Sequence, residues 1–305
     1  MAISFLKKHS ATVPSRNLKY LLHNHLAGPD DGRPFVNIHA SELTKPEGLC
    51  PRLYALADVT KAKPKGQWLT TSEQVTFRIG RELQDAVVNW FADMGKAVGH
   101  WKCTACGVLL EFQLRPVKCA TCGNGHFLPK EVRFKSEING ASCGVDMLLA
   151  MGDTKLVPVE LKTMDKDQFK DLKAPLAEHR LRTNLYLRLI KESAHVWSNQ
   201  VDVTRAIVLY ISKGGFGCAD PQLKEWGLYE GFSPFKEFEI KRIDKETDYL
   251  ARRAKVVTDF RAGKFGMPSG LCTTAMGKRA MGCQLKGVCF GGDHPPVHDW
   301  KDGSE

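Results

Sequence analysis

The order of hydrophobic patterns along the chain predicts an α/β fold, with a mixed central sheet flanked by helices. A long amphipathic helical pattern comes first, at about residues 72–94, and a group of strand-like segments follows it. Helical and strand patterns then alternate toward the C-terminus. Elements in this order favour helices packed against a sheet. The strand-like segments are 132–138, 143–151, 155–164, 205–212 and 235–243.

The N-terminal part begins with a loop-rich stretch, residues 1–47, which contains the turn-forming sequence PDDGRPF. A short helix is predicted to start near Pro51, which places Cys50 at its N-terminal edge. In the long helix that follows, Thr71 and Gln74 are predicted to form a capping box. The predicted apolar stripe of this helix consists of Val75, Ile79, Leu83, Val87 and Phe91.

The C-terminal half alternates between the two kinds of element. The sequence GDTK separates the strands at 143–151 and 155–164 and predicts a hairpin turn. One helix is predicted over 167–193, followed by the buried strand 205–212. A charged amphipathic helix over about 244–262 leads into a glycine-rich tail with three cysteines.

Composition points to a globular protein with a polyanionic partner. The chain has 305 residues, of which 43% are apolar and 26% charged. Lys and Arg exceed Asp and Glu by 44 to 34, a net charge of +10, which favours nucleic acid as the partner. Without an apolar run of about 18 residues, no membrane span is expected. The N-terminus does not read as a secretory signal, and ten dilute cysteines suit a reducing cytoplasm.

An acid cluster is expected at the hairpin. Residues i and i+2 of a strand point to the same face, so Glu160 and Lys162 project together while Leu161 turns into the core. In register, Asp146 of the preceding strand comes alongside them. Two carboxylates and the Leu161 carbonyl form an oxygen-rich site for Mg²⁺ or Mn²⁺. The alternative is an E-x-K triplet on a solvated strand face.

Four cysteines in the middle of the chain have the spacing of a zinc ribbon. Two C-x2-C pairs, twelve residues apart, together complete one tetrahedral site. A Zn²⁺ ion there would fold a small lobe that lacks a core of its own. The predicted ligands are Cys103, Cys106, Cys119 and Cys122. Lys102, Arg115 and Lys118 of this lobe are candidate DNA contacts, although charges of this kind are more often only solvated.

The strand–turn–strand sequence GVDMLL…VPVELKT resembles the PD-(D/E)XK nuclease superfamily, and more narrowly its RecB-like branch. The resemblance implies a restriction-endonuclease-like core in which Asp146 and Glu160 hold the metal ion and Lys162 assists. Members of the branch usually carry a histidine in a G-x-x-x-H setting, where this chain has Gln84. Their Q-x-x-x-Y signature corresponds here to Arg182 and Tyr186, which by resemblance contact the DNA backbone or brace the site.

The remaining cysteine set is similar to that of the iron–sulfur CRISPR-associated exonucleases. One early cysteine and three late ones imply a [4Fe–4S] cluster that joins the chain ends. The implied ligands are Cys50, Cys272, Cys283 and Cys289. The family spacing is C-x2-C-x5-C, whereas ten residues separate Cys272 from Cys283 here. Zinc bound by the same four cysteines, or four free thiols, are the alternatives.

The resemblance also implies an organisation and a function. The expected parts are an N-terminal cysteine segment with the first core helices (1–98), an inserted zinc ribbon (99–128), a nuclease core (129–265) and a C-terminal iron–sulfur segment with a tail (266–305). The expected activity is a metal-dependent exonuclease acting on single-stranded DNA in recombination or CRISPR adaptation, in the cytoplasm of a bacterium or phage-infected host. The alternatives are an inactive DNA-binding or assembly protein and a structure-specific endonuclease.

Overall fold

A computed structural model gives the fold of most of the chain. Of the predicted loop-rich N-terminus, residues 1–17, 30–33 and 47 lie outside the described residues, as do Asp153 of the GDTK turn and the tail beyond residue 291. The described part of that stretch is not all loop, because it contains helices at 18–26 and 40–43. The structure describes residues 18–29, 34–46, 48–63, 68–152, 154–214, 217–227 and 231–291.

Two sheets organise these residues, and two two-stranded ribbons accompany them. The strands are β1 (Gly28–Pro29), β2 (Ile38–His39), β3 (Trp68–Leu69), β4 (Ala97–Cys103), β5 (Leu109–Leu114), β6 (Phe127–Lys130), β7 (Val132–Lys135), β8 (Ala141–Val145), β9 (Met147–Leu149), β10 (Val157–Met164), β11 (Arg205–Ser212), β12 (Cys218–Ala219), β13 (Phe232–Ser233) and β14 (Phe235–Lys241).

Helices cover the sheets and connect their strands. The α-helices are α1 (Leu18–Leu26), α2 (Ala40–Leu43), α3 (Pro51–Thr60), α4 (Thr71–Asp93), α5 (Lys166–Asp171), α6 (Ala177–Lys191), α7 (Pro221–Glu225), α8 (Asp244–Arg261), α9 (Lys278–Met281) and α10 (Lys286–Phe290).

The larger sheet is mixed, which confirms the predicted α/β class. Its strand order is β14-β11-β10-β9-β4-β5, with β6 added to one end of β4. Strands β10 and β11 run parallel, whereas the other neighbours are antiparallel. Helices α5 and α6 lie in the connection between β10 and β11, as a parallel pair requires. Strand β10 is therefore central and almost fully buried.

The chain passes from one sheet to the other at Asp146. Strand β8 belongs to a three-stranded sheet of order β2-β8-β7, while β9 begins one residue after Asp146 and pairs with β10 in the larger sheet. The buried side chains of β8 belong to one core, whereas β9 contributes Met147 and Leu149 to a second core and Leu148 to the first. Asp146 consequently lies at the seam between the sheets.

Helix α4 differs in detail from its predicted form. Its capping box is formed by Thr70 and Glu73, one residue earlier than the predicted pair, and the Glu73 carboxylate accepts from the Thr70 main-chain N–H at 2.8 Å. Val87 packs in the core, but Val75 and Ile79 are exposed. The predicted apolar stripe is therefore only partly buried.

The helix predicted over 167–193 is two helices, α5 and α6. Residues 172–176 interrupt them, and Pro175 lies in this break. Proline disfavours the helical conformation in the residue before it and has no N–H for the helix ladder. The break lets α6 start afresh at Ala177 and pack its apolar side against the core below α8.

The cysteine-rich segment, residues 99–128, is continuous with the larger sheet. It contains β5 and parts of β4 and β6, and β4 pairs directly with β9. Cys103 and Cys119 belong to the same apolar cluster as Trp101, Met147 and Leu161. The segment thus extends the central sheet and shares its core.

The C-terminal segment of the described chain packs against α3. Ala55 and Leu56 pack with Met267 and Leu285 in a small core of their own. Arg279 adds a hydrogen bond of 2.8 Å to the carbonyl oxygen of Gly48. Among the described residues, none of the helices combines the length and the apolar character needed to cross a membrane.

The position of the capping box is testable by substitution. Thr70→Ala removes the cap of α4 and should lower the free energy of unfolding by about 1 kcal/mol. Thr71→Ala should change it by less than about 0.5 kcal/mol, because Thr71 makes only a long, exposed hydrogen bond of 3.4 Å. Urea unfolding followed by circular dichroism measures both, with Thr70→Ser as the control that keeps the hydroxyl. A larger loss for Thr71→Ala would contradict the observed cap.

Candidate active site and metal centres

The hairpin of β9 and β10 brings the predicted acid cluster together. Val159 is opposite Met147 in the ladder, so Glu160 comes alongside Asp146 at the seam. The Leu161 N–H donates to Asp146 Oδ2 at 2.8 Å, which fixes the aspartate against β10. Leu161 itself is fully buried in the core, as the alternation predicts.

Glu160 and Lys162 form a close pair on one face of β10. Lys162 Nζ lies 2.5 Å from Glu160 Oε1 and donates to the Leu161 carbonyl oxygen at 3.3 Å. The Glu160 side chain is only 4% exposed, and Lys162 is 19% exposed. Since this pair is partly desolvated, it is unlike the solvated E-x-K face that was the alternative.

Gln84 reaches the same place from helix α4. Its Nε2 donates to the Leu161 carbonyl oxygen at 2.7 Å. Gly80, one turn earlier, allows this approach, because a Cβ there would lie 3.0 Å from Thr163 Oγ1 on β10. The glutamine therefore stands beside the acid cluster, at the point where the resemblance expects a histidine.

Glu131 is a site residue that the sequence did not indicate. It lies between β6 and β7, and its carboxylate is so close to Gly144 that a side chain there would collide with it. Arg133 donates to Glu131 Oε2 at 3.2 Å. In the sequence E-V-R-F, the alternation with buried Val132 and Phe134 puts Glu131 and Arg133 on one face of the strand. The alternation does not indicate which part of the molecule that face meets.

Excess negative charge marks the cluster. Burial and the neighbouring Glu160 carboxylate raise the pKa of Asp146 well above its usual value, and Glu131 adds to this, while Lys162 opposes it. Burial also raises the pKa of Tyr186, and the carboxylates of Glu160 and Asp146 add to this rise. A divalent cation with oxygen ligands would compensate this charge. The carboxylates of Glu131, Asp146 and Glu160 do not all lie within 4.8 Å of one another.

Two cavities meet at the cluster and share Gln84, Glu131, Arg133 and Asp146. The first, which we call the β6 arm, has a volume of about 350 Å³ and is lined further by Arg81, Asp85, Val88, Pro129, Lys130 and Leu161. The second, the α6 arm, has a volume of about 440 Å³ and continues past Glu160 and Lys162 to Arg182 and Tyr186.

Arg182 and Tyr186, which the resemblance implied, both line the α6 arm. The Arg182 guanidinium pairs with Glu178 on its own helix, and its Nε donates to Thr44 Oγ1 at 3.3 Å. Tyr186 is only 8% exposed. These contacts hold the arginine at the cavity wall and leave the tyrosine mostly packed.

A half-buried histidine and a buried tyrosine form a polar pair beside Lys162, since Tyr210 is its neighbour on β11. His179 Nδ1 and the Tyr210 hydroxyl are 2.8 Å apart, and the Leu176 N–H also donates to that hydroxyl at 3.0 Å. Burial, together with the charges of Lys162 and Arg182, lowers the pKa of His179 to about 4. The histidine therefore stays neutral near neutral pH and adds no charge beside the lysine.

The four cysteines of the C-x2-C pairs form one cluster. Cys103 Sγ is 3.5 Å from Cys122 Sγ, and Cys106 Sγ is 3.7 Å from Cys119 Sγ. Four thiolates about 2.3 Å from a zinc ion have edges of about 3.8 Å. Within the described chain, this is the one group of three or more His, Cys, Asp or Glu side chains whose possible metal-ligand atoms all lie within 4.8 Å of one another.

The two halves of this cluster are built alike. The Gly107 and Gly123 N–H groups donate to the carbonyls of Cys103 and Cys119, and both glycines have φ near +75° (75° and 74°). That left-handed conformation favours glycine. Main-chain N–H groups and the Asn124 amide lower the pKa of Cys103 to about 6, which favours the thiolate that a metal ion requires.

The second cysteine set also comes together, more loosely. Burial and the neighbouring thiols of Cys50, Cys283 and Cys289 raise the pKa of Cys272. Cys283 and Cys289 pack against the small core of α3, and Cys50 directly precedes that helix. Among the described residues these thiols do not gather within 4.8 Å as the first set does. That spacing differs from the single-ion geometry of the first set.

No family model matches the chain, and no curated protein sequence matches it. Solved structures similar to it include the protein SSO0001, at 16% identity over 86% of this chain and 87% of that one, with a TM-score of 0.37. Another is LHK-Exo, an alkaline exonuclease from Laribacter hongkongensis, at 12% identity over 74% of this chain and 89% of that one, with a TM-score of 0.40. A complex of LHK-Exo with dAMP matches equally well.

The zinc assignment predicts a specific loss of metal. Cys119→Ser should remove about one equivalent of zinc per chain, because two thiolates from each C-x2-C pair are needed. Elemental analysis of the purified protein measures this. Cys218→Ser, a half-buried thiol outside both sets, is the control and should keep the zinc. Equal zinc content in the Cys119 variant and the wild type would refute the assignment.

The second set predicts a different signature. Protein purified without oxygen should be brown and contain iron, and Cys283→Ser should abolish the visible absorption while leaving the zinc in place. Absorption spectra and iron analysis of the same samples test this. Zinc in excess of one equivalent, with no iron, would instead show that both sets bind zinc.

Proposed function

We propose that this protein is a divalent-metal-dependent nuclease that hydrolyses the phosphodiester backbone of DNA. The convergence of Asp146, Glu160 and Lys162 on a polar cleft between two sheets carries the proposal. Carboxylates that are partly desolvated and close together suit Mg²⁺ or Mn²⁺. Such a cation is what hydrolysis of a charged diester most needs.

The roles of the side chains follow from their positions. Asp146 and Glu160 would hold the metal ion, with Glu131 as a further carboxylate at the junction of the arms. When bound, the ion neutralises charge on the scissile phosphate and acidifies the attacking water. Lys162, with its ammonium group on the same face, offsets the negative charge that develops in the transition state. Gln84 orients the water through its amide, although it is a weaker metal ligand than histidine.

The shape of the cleft favours a single strand. Each arm lies at the lower end of the range of about 300–1,000 Å³ that is typical of small-molecule sites, so it accommodates one or two nucleotides and not a duplex. The net charge of +10 assists association with the polyanion. Arg182 and Tyr186 would contact the strand in the α6 arm. Exonuclease action at a frayed or single-stranded end fits this shape.

The two cysteine sets would support this centre without taking part in the reaction. Zinc at Cys103, Cys106, Cys119 and Cys122 would stabilise the end of β4 and the start of β6. An iron–sulfur cluster at Cys50, Cys272, Cys283 and Cys289 would tie the C-terminal segment to α3. Both assignments are part of the proposal.

Catalysis by the E-x-K triplet is testable against a matched triplet. Glu160→Gln and Lys162→Met should each lower the rate of Mg²⁺-dependent degradation of labelled single-stranded DNA by at least about 100-fold. The chain contains a second E-x-K, Glu239-Ile240-Lys241 on β14, where Glu239 pairs with Arg205 in an exposed contact. Glu239→Gln and Lys241→Met should retain the wild-type rate.

The outcomes separate the alternatives. Equal activity in the β10 variants and the wild type would discard the catalytic assignment. DNA binding that survives chelation, without cleavage in Mg²⁺ or Mn²⁺, would identify a binding protein on the same fold. Discrete fragments from an internally labelled substrate, instead of progressive shortening, would identify an endonuclease.

A further inference from the structure

The cleft continues past the acid cluster in two directions. The β6 arm and the α6 arm share four residues at the cluster and diverge from there, which makes one trough with the proposed reaction centre at its midpoint. A nucleic-acid strand extends on both sides of the bond that is cleaved. Each arm of the trough is therefore a candidate site for the backbone on one side.

The cations of the α6 arm are already engaged. Lys162 pairs with Glu160 and Arg182 pairs with Glu178, and Arg133, which lines both arms, pairs with Glu131. An engaged guanidinium or ammonium can bind a phosphate only by giving up or sharing its partner. The α6 arm thus offers little uncompensated positive charge to a polyanion.

The β6 arm is different. Arg81 lies three and four residues before Gln84 and Asp85, so it shares their face of helix α4. Lys130 approaches from the end of β6. Within the described chain, the side chains of Arg81 and Lys130 make no hydrogen bond or ion pair. Burial and the neighbouring Glu82 raise the pKa of the half-buried Asp85 carboxylate, and the charges of Lys130 and Arg81 oppose this rise, so both cations lie close enough to act on it.

We propose that the β6 arm is the phosphate-binding site for the strand on one side of the scissile bond, with Arg81 and Lys130 as its two cationic contacts and Asp85 as an anion that limits its affinity. This inference rests on the proposed function, because it assumes a nucleic-acid substrate. It assigns the contact to helix α4 and strand β6, and not to Lys102 and Lys118 of the cysteine lobe, which line neither arm.

The position of Lys130 depends on the cysteine cluster. Strand β6 pairs with β4 so that Phe127 is opposite Cys103 and Lys130 is opposite His100. Phe127 packs in the cluster that contains Cys103 and Cys119. An ion held by the four cysteines would therefore stabilise the strand that carries Lys130.

The test measures binding without cleavage. Fluorescence anisotropy with a 5′-fluorescein single-stranded oligonucleotide, in Ca²⁺ in place of Mg²⁺, gives the Kd and its dependence on salt. The double variant Arg81→Ala/Lys130→Ala should weaken binding by about tenfold or more and reduce the slope of log Kd against log salt by about 1.4, two contacts at about 0.7 each. Asp85→Asn should tighten binding.

A matched control removes two charges from the cysteine lobe. Lys102→Ala/Lys118→Ala should leave the slope within error of the wild type. Should the double variant of the arm fail to fold by circular dichroism, Arg81→Gln and Lys130→Gln measured singly should each reduce the slope by about 0.7.

The result separates this inference from the proposed activity. A wild type that binds DNA with a slope sensitive to Arg81 and Lys130, but cleaves nothing in Mg²⁺ or Mn²⁺, supports the arm and rejects the nuclease. A wild type that cleaves DNA, with arm variants that bind with the wild-type slope, overturns the arm alone. A slope that falls only in the Lys102/Lys118 control, or a wild type that binds no DNA, also overturns it.

Discussion

Negative charge in a partly desolvated seam is the constraint around which this molecule is arranged. Asp146 is held by the N–H of Leu161, and Glu160 by the ammonium group of Lys162. Charges withdrawn from water are costly unless they are paired, so the backbone that presents them must be rigid. Strand β10 meets this need because it lies between β9 and β11, in the middle of the larger sheet.

Local periodicity accounts for the part of the site that could be predicted. Glu160 and Lys162 are two residues apart on a strand, and Asp146 is one hairpin away, so short-range geometry places all three together. Glu131 was not found in this way, because it comes alongside Asp146 through the ladder of β7 and β8, in which Val132 is opposite Val145, and no turn motif in the sequence indicated that pairing. The contact of Gln84 with Leu161 likewise depends on how closely α4 approaches β10 at Gly80.

The same distinction explains the differences in the fold. The class and the central strands follow from sequence patterns, but the exact cap of α4 and the break before α6 depend on single residues, Thr70 and Pro175. The spacing of Val75 and Ile79 indicates an apolar face of the helix, but it does not indicate which element covers that face. Both side chains are in fact exposed. Periodicity reports local conformation, whereas tertiary neighbours are set by packing.

The shared core of the cysteine segment and the sheet limits how this architecture can be altered. Trp101, Cys103 and Cys119 of this segment pack in the same apolar cluster as Met147 and Leu149 of β9, and Met147 directly follows Asp146. Excising the ribbon would leave large apolar side chains uncovered next to the acidic residue, so the segment is not an interchangeable module. A shortened version of this chain would need new apolar residues on β4 or α4 to restore that cover. If the segment were grafted onto another scaffold, its own apolar side chains would be exposed unless the new scaffold covered them.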